Sequence, residues 1–311
     1  MKAISYYQIH ADDIIKEERL ERFLPKLEDY KSGGRQDVFD NIDLLSENVR
    51  SKTRTMKNFS LFNKTFEIDN STVIVCGLYL EILEYWGLSE VLTSVVEKIV
   101  KRYPNNRILF QWNHDEDFKK YSSWFSKFDN AFMLNFNTSC STSRDIVLPF
   151  WTVENEGYQL QSTRSYYANL VCSMNHQIRY NLVNTLNNKQ NYVVCHKLPQ
   201  ATFYELISKS IFTFCPRGSG LSSYRFFESL HARSIPVLFT DEVILPYLDD
   251  LKYSDMIVRI PEKMSTDFEF IDKTLKSVDY VKMISNIDKN IHKFTLLGVQ
   301  EEIYRRLQSQ A

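Results

Sequence analysis

The sequence predicts an α/β protein of two units, each a mostly parallel sheet covered by helices. Three observations predict it. Short apolar runs such as Val73-Ile74-Val75 and Ile235-Pro236-Val237-Leu238-Phe239 alternate with stretches of helical periodicity, the pattern of strands joined by crossover helices. The length of 311 residues suits two lobes of ordinary domain size. A hydrophobic content of 43% with 14% aromatics is enough for two cores.

The elements follow in order. Residues 1–70 read as polar and irregular, with a helix over 14–27 and a loop at Lys31-Ser32-Gly33-Gly34-Arg35. The first sheet begins at Val73, and residues 78–88 read as helix. Val91, Leu92, Val95, Val96, Ile99 and Val100 recur at helical spacing, so they form a buried stripe, which Pro104 ends. Ile108, Phe110 and Trp112 alternate along a strand, and 131–136 and 146–148 are further strands. The polar stretch from Thr152 to Ser165 reads as the linker. Beyond it come a strand over 167–172, a helix marked by Ile178, Leu182 and Leu186, a strand at Tyr192-Val193-Val194 and a short helix over 202–208. The last stretch, 300–308, is a charged amphipathic helix.

The most informative stretch is F-C-P-R-G-S-G-L-S-S-Y-R-F-F-E, residues 214–228. Ile211–Phe214 reads as a buried strand that breaks at Pro216, and a helix restarts near Leu221. With the apolar run 235–239 this makes a strand–loop–helix–strand unit. The whole chain has only 8 glycines, yet Gly218 and Gly220 lie two positions apart in this loop. A glycine loop before a helix N-terminus offers free N–H groups and a positive dipole end to a phosphate. It is also an ordinary connection in α/β proteins. The charged residues favour the ligand reading. Arg217 sits in the loop, while Arg225 and Glu228, three apart, share a helix face.

These pieces come in a recognisable order. Cys215-Pro216-Arg217-Gly218 is followed by Ser223-Tyr224-Arg225-Phe226-Phe227-Glu228, Ile235-Pro236-Val237 and Asp241-Glu242-Val243-Ile244-Leu245-Pro246-Tyr247. Before them stands Tyr204-Glu205-Leu206-Ile207-Ser208-Lys209-Ser210, similar to a Y-x-E-L-L-x-x-S lead-in, and after them Arg259-Ile260-Pro261-Glu262. Upstream, Asp145-Ile146-Val147-Leu148-Pro149 and His176-Gln177-Ile178-Arg179 continue the series. Over about residues 105–265 the chain resembles exostosin-family glycosyltransferases. The resemblance implies an inverting, sugar-nucleotide-dependent enzyme of GT-B type, with two Rossmann-like lobes facing across a cleft and no metal or other cofactor. It also implies that Arg217, Ser223, Arg225 and Glu228 line the donor site. On this reading residues 1–158 form the acceptor-side domain, 159–290 the donor domain, and 291–311 a helix that packs back on the first.

Inverting transfer needs a base for the acceptor hydroxyl and positive charge for the departing diphosphate. Arg217 and Arg225 can each grip phosphate oxygens as a fork. Gly218 and the amides of 220–222 complete the loop. Ser222 or Ser223 either caps the helix or binds ligand. Glu228 either bonds a ribose diol or pairs internally with Arg225. Arg179 either faces the diphosphate or is a solvated helix residue, and Asp241 either touches the donor sugar or forms a turn. For the base, Trp112-Asn113-His114-Asp115-Glu116-Asp117 follows a strand end. His114 has a suitable intrinsic pKa, and Asp115 or Asp117 can orient it or replace it. The competing reading is an exposed acidic helix start. His176, just before a helix, is a second histidine within reach of the cleft.

Composition limits the partners. A net charge of −1 argues against nucleic acid. Five scattered cysteines, an odd number, read as buried small residues. No window reaches the ~20 apolar residues of a membrane span, and the first residues lack a signal-peptide core. The expectation is a cytoplasmic enzyme, peripheral on a membrane if its acceptor is lipid-linked. Its partners are a sugar nucleotide and a glycan or lipid-linked acceptor. Arg50, Lys52, Arg54 and Lys57 are either a solvated face or a contact for an anionic acceptor. The alternative to an enzyme is a non-catalytic lobe pair that scaffolds another transferase.

Overall fold

The computed structural model describes residues 4–18, 62–85, 87–112, 119–135, 145–149, 163–218, 221, 223–241 and 245–309. The chain divides into two compact units, Met1–Leu148 with Leu296–Ala311, and Pro149–Thr295. Each contains a parallel sheet flanked by helices, so both are Rossmann-like.

The first unit opens with β1 (Ile4–Ile9) and α1 (Ala11–Glu17). Then come β2 (Phe62–Lys64), β3 (Val73–Tyr79), α2 (Leu80–Tyr85) and α3 (Ser89–Arg102). β4 (Ile108–Trp112), α4 (Lys119–Phe125), β5 (Ala131–Asn135) and β6 (Asp145–Val147) complete the sheet, in the order β2-β1-β3-β4-β5-β6. β1 corrects the reading of the first 70 residues as irregular. It is an interior strand, paired in parallel with β2 on one side and β3 on the other. Its buried residues are Tyr6 and Ile9, and the polar neighbours Ser5 and Gln8 hide the signal. The helix expected over 14–27 is seen as Ala11–Glu17, and the rest lies outside the described residues.

The segment 78–88 is also reshaped. β3 continues to Tyr79, and α2 is short because Gly87 (φ +72°) turns the chain into α3. The turn is closed by Gly87 N–H to Glu84 C=O at 2.9 Å and Leu88 N–H to Leu83 C=O at 2.8 Å, and its left-handed residue suits glycine. The stripe on α3 is buried at Leu92, Val95, Val96 and Ile99. All of β4 is buried, not only its alternate residues, because a central parallel strand has helices over both faces.

The second unit contains β7 (Tyr166–Val171), α5 (Gln177–Leu186), β8 (Tyr192–Cys195) and α6 (Gln200–Ser208). β9 (Ser210–Pro216), α7 (Tyr224–His231), β10 (Ile235–Phe239) and β11 (Val258–Ile260) follow. The strand order is β11-β10-β9-β7-β8, every pair parallel. Phe212, Phe214, Phe227 and Phe239 fill the core, with the rings of Phe214 and Phe239 stacked at 5.6 Å. Sequence reading assigns no element between 263 and 290. The structure has α8 (Phe268–Lys276) and α9 (Tyr280–Asn290) there, capped by the carboxylates of Asp267 and Asp279. Their buried pairs Ile271/Leu275 and Met283/Ile287 are spaced four apart. The first unit also holds α10 (Leu296–Ser309), with Val299, Ile303 and Leu307 buried. Among the described residues no helix is long and apolar enough to cross a membrane.

Arg164 closes the end of the second sheet away from the strands' C-termini. Its guanidinium donates to the carbonyls of Ser208, Ser210 (3.4 Å) and Ala232 (3.3 Å), and to that of Arg233 at 2.8 Å. Ser208 ends α6 and Ala232 caps α7, so one cation meets the negative ends of two helices. Arg164→Ala is expected to cost about 2–4 kcal/mol, from the loss of charge-assisted hydrogen bonds. The check is a lower urea midpoint at unchanged slope.

A second prediction concerns His231, which is buried with Nε2 at 3.2 Å from the Phe294 carbonyl. Burial pushes its imidazole from 6.5 down to about 4, while the Phe294 carbonyl opposes that shift. The unfolded chain therefore takes up a proton at higher pH than the folded one. Stability should fall as pH drops from 6.5 to about 4, by about 3 kcal/mol over that window. Urea midpoints at pH 7 and pH 4.5 test this, and His231→Gln should flatten the difference.

Candidate functional site

The topology of the second sheet chooses the place. From β7 the chain crosses to β8 on one side, whereas from β9 it moves to β10 and β11 on the other. The connections after β7 and β9 leave in opposite directions, which opens a crevice at the strands' C-terminal ends. Four short pieces gather at that end of the sheet: 172–176 after β7, 217–218 after β9, Asp241 beyond β10, and Glu262 beyond β11.

Arg179 joins two of them. It lies on α5, whose start is capped by His176. Its Nε donates to the Arg217 carbonyl at 2.9 Å and its Nη2 to the Pro216 carbonyl at 3.3 Å. Its Nη1 donates to the Ser173 carbonyl at 3.1 Å and hydroxyl at 3.3 Å. The side chain is therefore neither a solvated helix residue nor simply a group aimed at a ligand: it clamps the loop. Gly218 eases this approach, since a Cβ there would lie 3.0 Å from the Arg179 Nη2, which would have to give by a few tenths of an ångström. Burial pulls the Arg179 guanidinium below its ordinary value, and Arg225 adds to the effect. The thiol of Cys172, at the end of β7, is pushed up by burial while Arg179 and Arg225 pull it down.

Arg225 and Glu228 lie on α7 as their spacing predicts. Arg225 Nη1 donates to Glu228 Oε2 at 3.2 Å, with side chains 24% and 19% exposed, so the internal pair exists and still reaches solvent. Burial pushes the Glu228 carboxyl up, and the Arg225 charge opposes the shift. Ser223 occupies the N-cap position with extended backbone (φ −141°, ψ 128°), and its carbonyl accepts the Phe226 N–H at 3.0 Å. Its hydroxyl makes no capping bond, so the capping alternative does not account for it.

Arg217 pairs with Glu262 at 3.8 Å, and the Glu262 N–H donates to Asp241 Oδ1 at 3.3 Å. Asp241 thus holds the backbone beyond β11, and Glu262, to which sequence reading assigned no chemistry, links the ends of three strands. Its signal is the position after Ile260-Pro261. His176 is half-buried, with Nδ1 accepting the Ile178 N–H at 3.3 Å. Burial first, then Arg217, pulls its imidazole below the usual value, while Glu262 opposes. His114, Asp115, Asp117 and Ser222 lie outside the described residues, as do the linker residues 152–162 and the basic cluster 50–57. β4, which precedes the first three, ends at Trp112.

Comparison with known proteins identifies the pattern. The family model described as Exostosin GT47 domain matches residues 102–276, more than half of the 311. A probable beta-1,4-xylosyltransferase, IRX10L of Arabidopsis thaliana, is 34% identical over 77 residues, which are 25% of this chain and 18% of that protein. The exostosin-1 homolog of Caenorhabditis elegans is 30% identical over 98 residues, 31% of this chain and 25% of that protein. The matched stretch thus spans a quarter or less of these relatives. Among solved structures, the pneumococcal O-GlcNAc transferase GtfA in complex with UDP and GlcNAc is 9% identical, with 78% of this chain and 57% of that chain covered and a TM-score of 0.45.

The clamp makes a prediction that needs no ligand. Arg179→Ala should raise amide hydrogen exchange across 214–218 by about tenfold, the equivalent of one lost charge-assisted hydrogen bond. Gly218→Ala should reproduce part of the effect. Unchanged exchange in Arg179→Ala would mean that the loop holds itself.

Proposed function

The chain belongs to the exostosin GT47 family, and from that premise we propose that it is an inverting, metal-independent glycosyltransferase. It moves a hexosyl or pentosyl group from a nucleoside-diphosphate sugar to a glycan or lipid-linked saccharide. One observation carries this reading: Arg217, Arg225 and the uncapped Ser223 hydroxyl occur together at the C-terminal end of a parallel sheet, beside its switch point.

The roles follow from the chemistry. The bond from the anomeric carbon to the diphosphate breaks, and the electron pair leaves with the diphosphate. Arg217, Arg225 and the N-terminus of α7 take up that charge in place of a metal ion. Arg179 contributes by fixing the loop carbonyls away from the phosphates and by adding its own positive field. Glu228, which stays reachable beside Arg225, accepts hydrogen bonds from the ribose diol. Asp241 is assigned to the donor sugar. The acceptor oxygen attacks the opposite face of the sugar while a base removes its proton. We assign that base to His114, oriented by Asp115 or Asp117, in the segment after β4.

The test is a thermal-shift series with UDP, GDP, CDP and their sugar conjugates, with and without EDTA. At about 100 times Kd, one nucleotide should raise the midpoint by roughly 5 °C, equally in EDTA. Arg225→Ala should abolish the rise and Glu228→Ala should diminish it. No rise with any nucleotide, or turnover retained in both variants, would overturn the donor site.

A further inference from the structure

Arg225 has a second neighbour, and it carries no charge. The guanidinium carbon lies 3.8 Å from the centre of the Phe203 ring. Phe203 stands on α6, a different element from Arg225, and is only 6% exposed. Val171, Leu206, Ile207 and Ala232 form a compact apolar cluster with it. Val171 is the last residue of β7, so the ring is anchored to one of the two strands that bound the switch point. The neighbouring Tyr204 instead accepts a hydrogen bond from Gln200 within α6, at 2.6 Å.

A cation held over an aromatic face at this distance is attracted by the ring's quadrupole. The face contact also fixes the plane of the guanidinium, and its N–H groups lie in that plane. Glu228 takes a donor along one edge at 3.2 Å. An arginine that must meet two phosphate oxygens as a fork loses most when its plane is free to rotate. We infer that Phe203 is a positioning residue for the diphosphate: stacked on Arg225 from α6, it orients the guanidinium so that its in-plane donors meet the leaving group. This rests on the donor-site reading above.

The experiment uses the full chain and the nucleoside diphosphate that shifts the wild type, with Kd by calorimetry and the thermal midpoint measured separately. Phe203→Leu should weaken binding about 5- to 30-fold, while Phe203→Tyr stays within about twofold. In an Arg225→Lys background, which lacks the planar fork, Phe203→Leu should add little. Pentafluorophenylalanine at 203 keeps the ring's shape and inverts its quadrupole, so it should weaken binding as the leucine does, even if the leucine variant folds poorly. A lower midpoint with unchanged Kd in the leucine and fluorinated proteins would make Phe203 a core ring only and overturn the inference, leaving the donor site intact. Wild-type protein that binds none of UDP, GDP and CDP overturns the donor site and the positioning role together.

Discussion

One half-buried guanidinium, that of Arg179, holds the site together. It spans the gap between the segments after β7 and β9, beyond the paired residues Asn169 and Thr213. A cation withdrawn from water is costly unless polar groups replace its hydration. Here three backbone carbonyls and one hydroxyl do so. Those carbonyls would otherwise add negative potential at the mouth of the proposed donor site. The clamp therefore shapes the loop and its field at once.

The electrostatics around it have a consistent sense. Three arginines, 179, 217 and 225, stand against the carboxylates of Glu228 and Glu262, with Asp241 bonded to the Glu262 amide. Burial makes ionised Glu228 less favourable, and only Arg225 offsets that. His176 is disfavoured as a cation by burial and by the same arginines. Three arginines thus meet three carboxylates in this crevice, and one of these, Glu228, is pushed toward its neutral form by burial.

The two ends of the second sheet use arginine in opposite ways. Arg164 satisfies the carbonyl ends of α6 and α7, a purely structural task. At the other end, the N-terminus of α7 is left without its serine cap, and Arg217 and Arg225 keep exposed edges. Arg164 completes the structure at one end, and the other is the end at which open α/β sheets bind ligands.

The local order was legible in the sequence. Strand, glycine loop, helix and strand over 211–239 follow from periodicity and breakers, and Arg225 and Glu228 meet because three helical residues bring them round to one face. The parallel character of both sheets also follows from helices alternating with apolar strands. What escaped was decided by pairing across the chain. β1 is an interior strand because β2 and β3 flank it, not because Ser5 and Gln8 favour a buried sheet. Arg179 becomes a clamp only when a carbonyl 37 residues later comes within reach. Phe203 meets Arg225, and Glu262 meets Arg217, only when strand order brings their elements to one crevice. Periodicity reports which face of an element is apolar. It says nothing of which carbonyl, ring or carboxylate a distant element will present, because that is set by the strand order and the direction of each crossover.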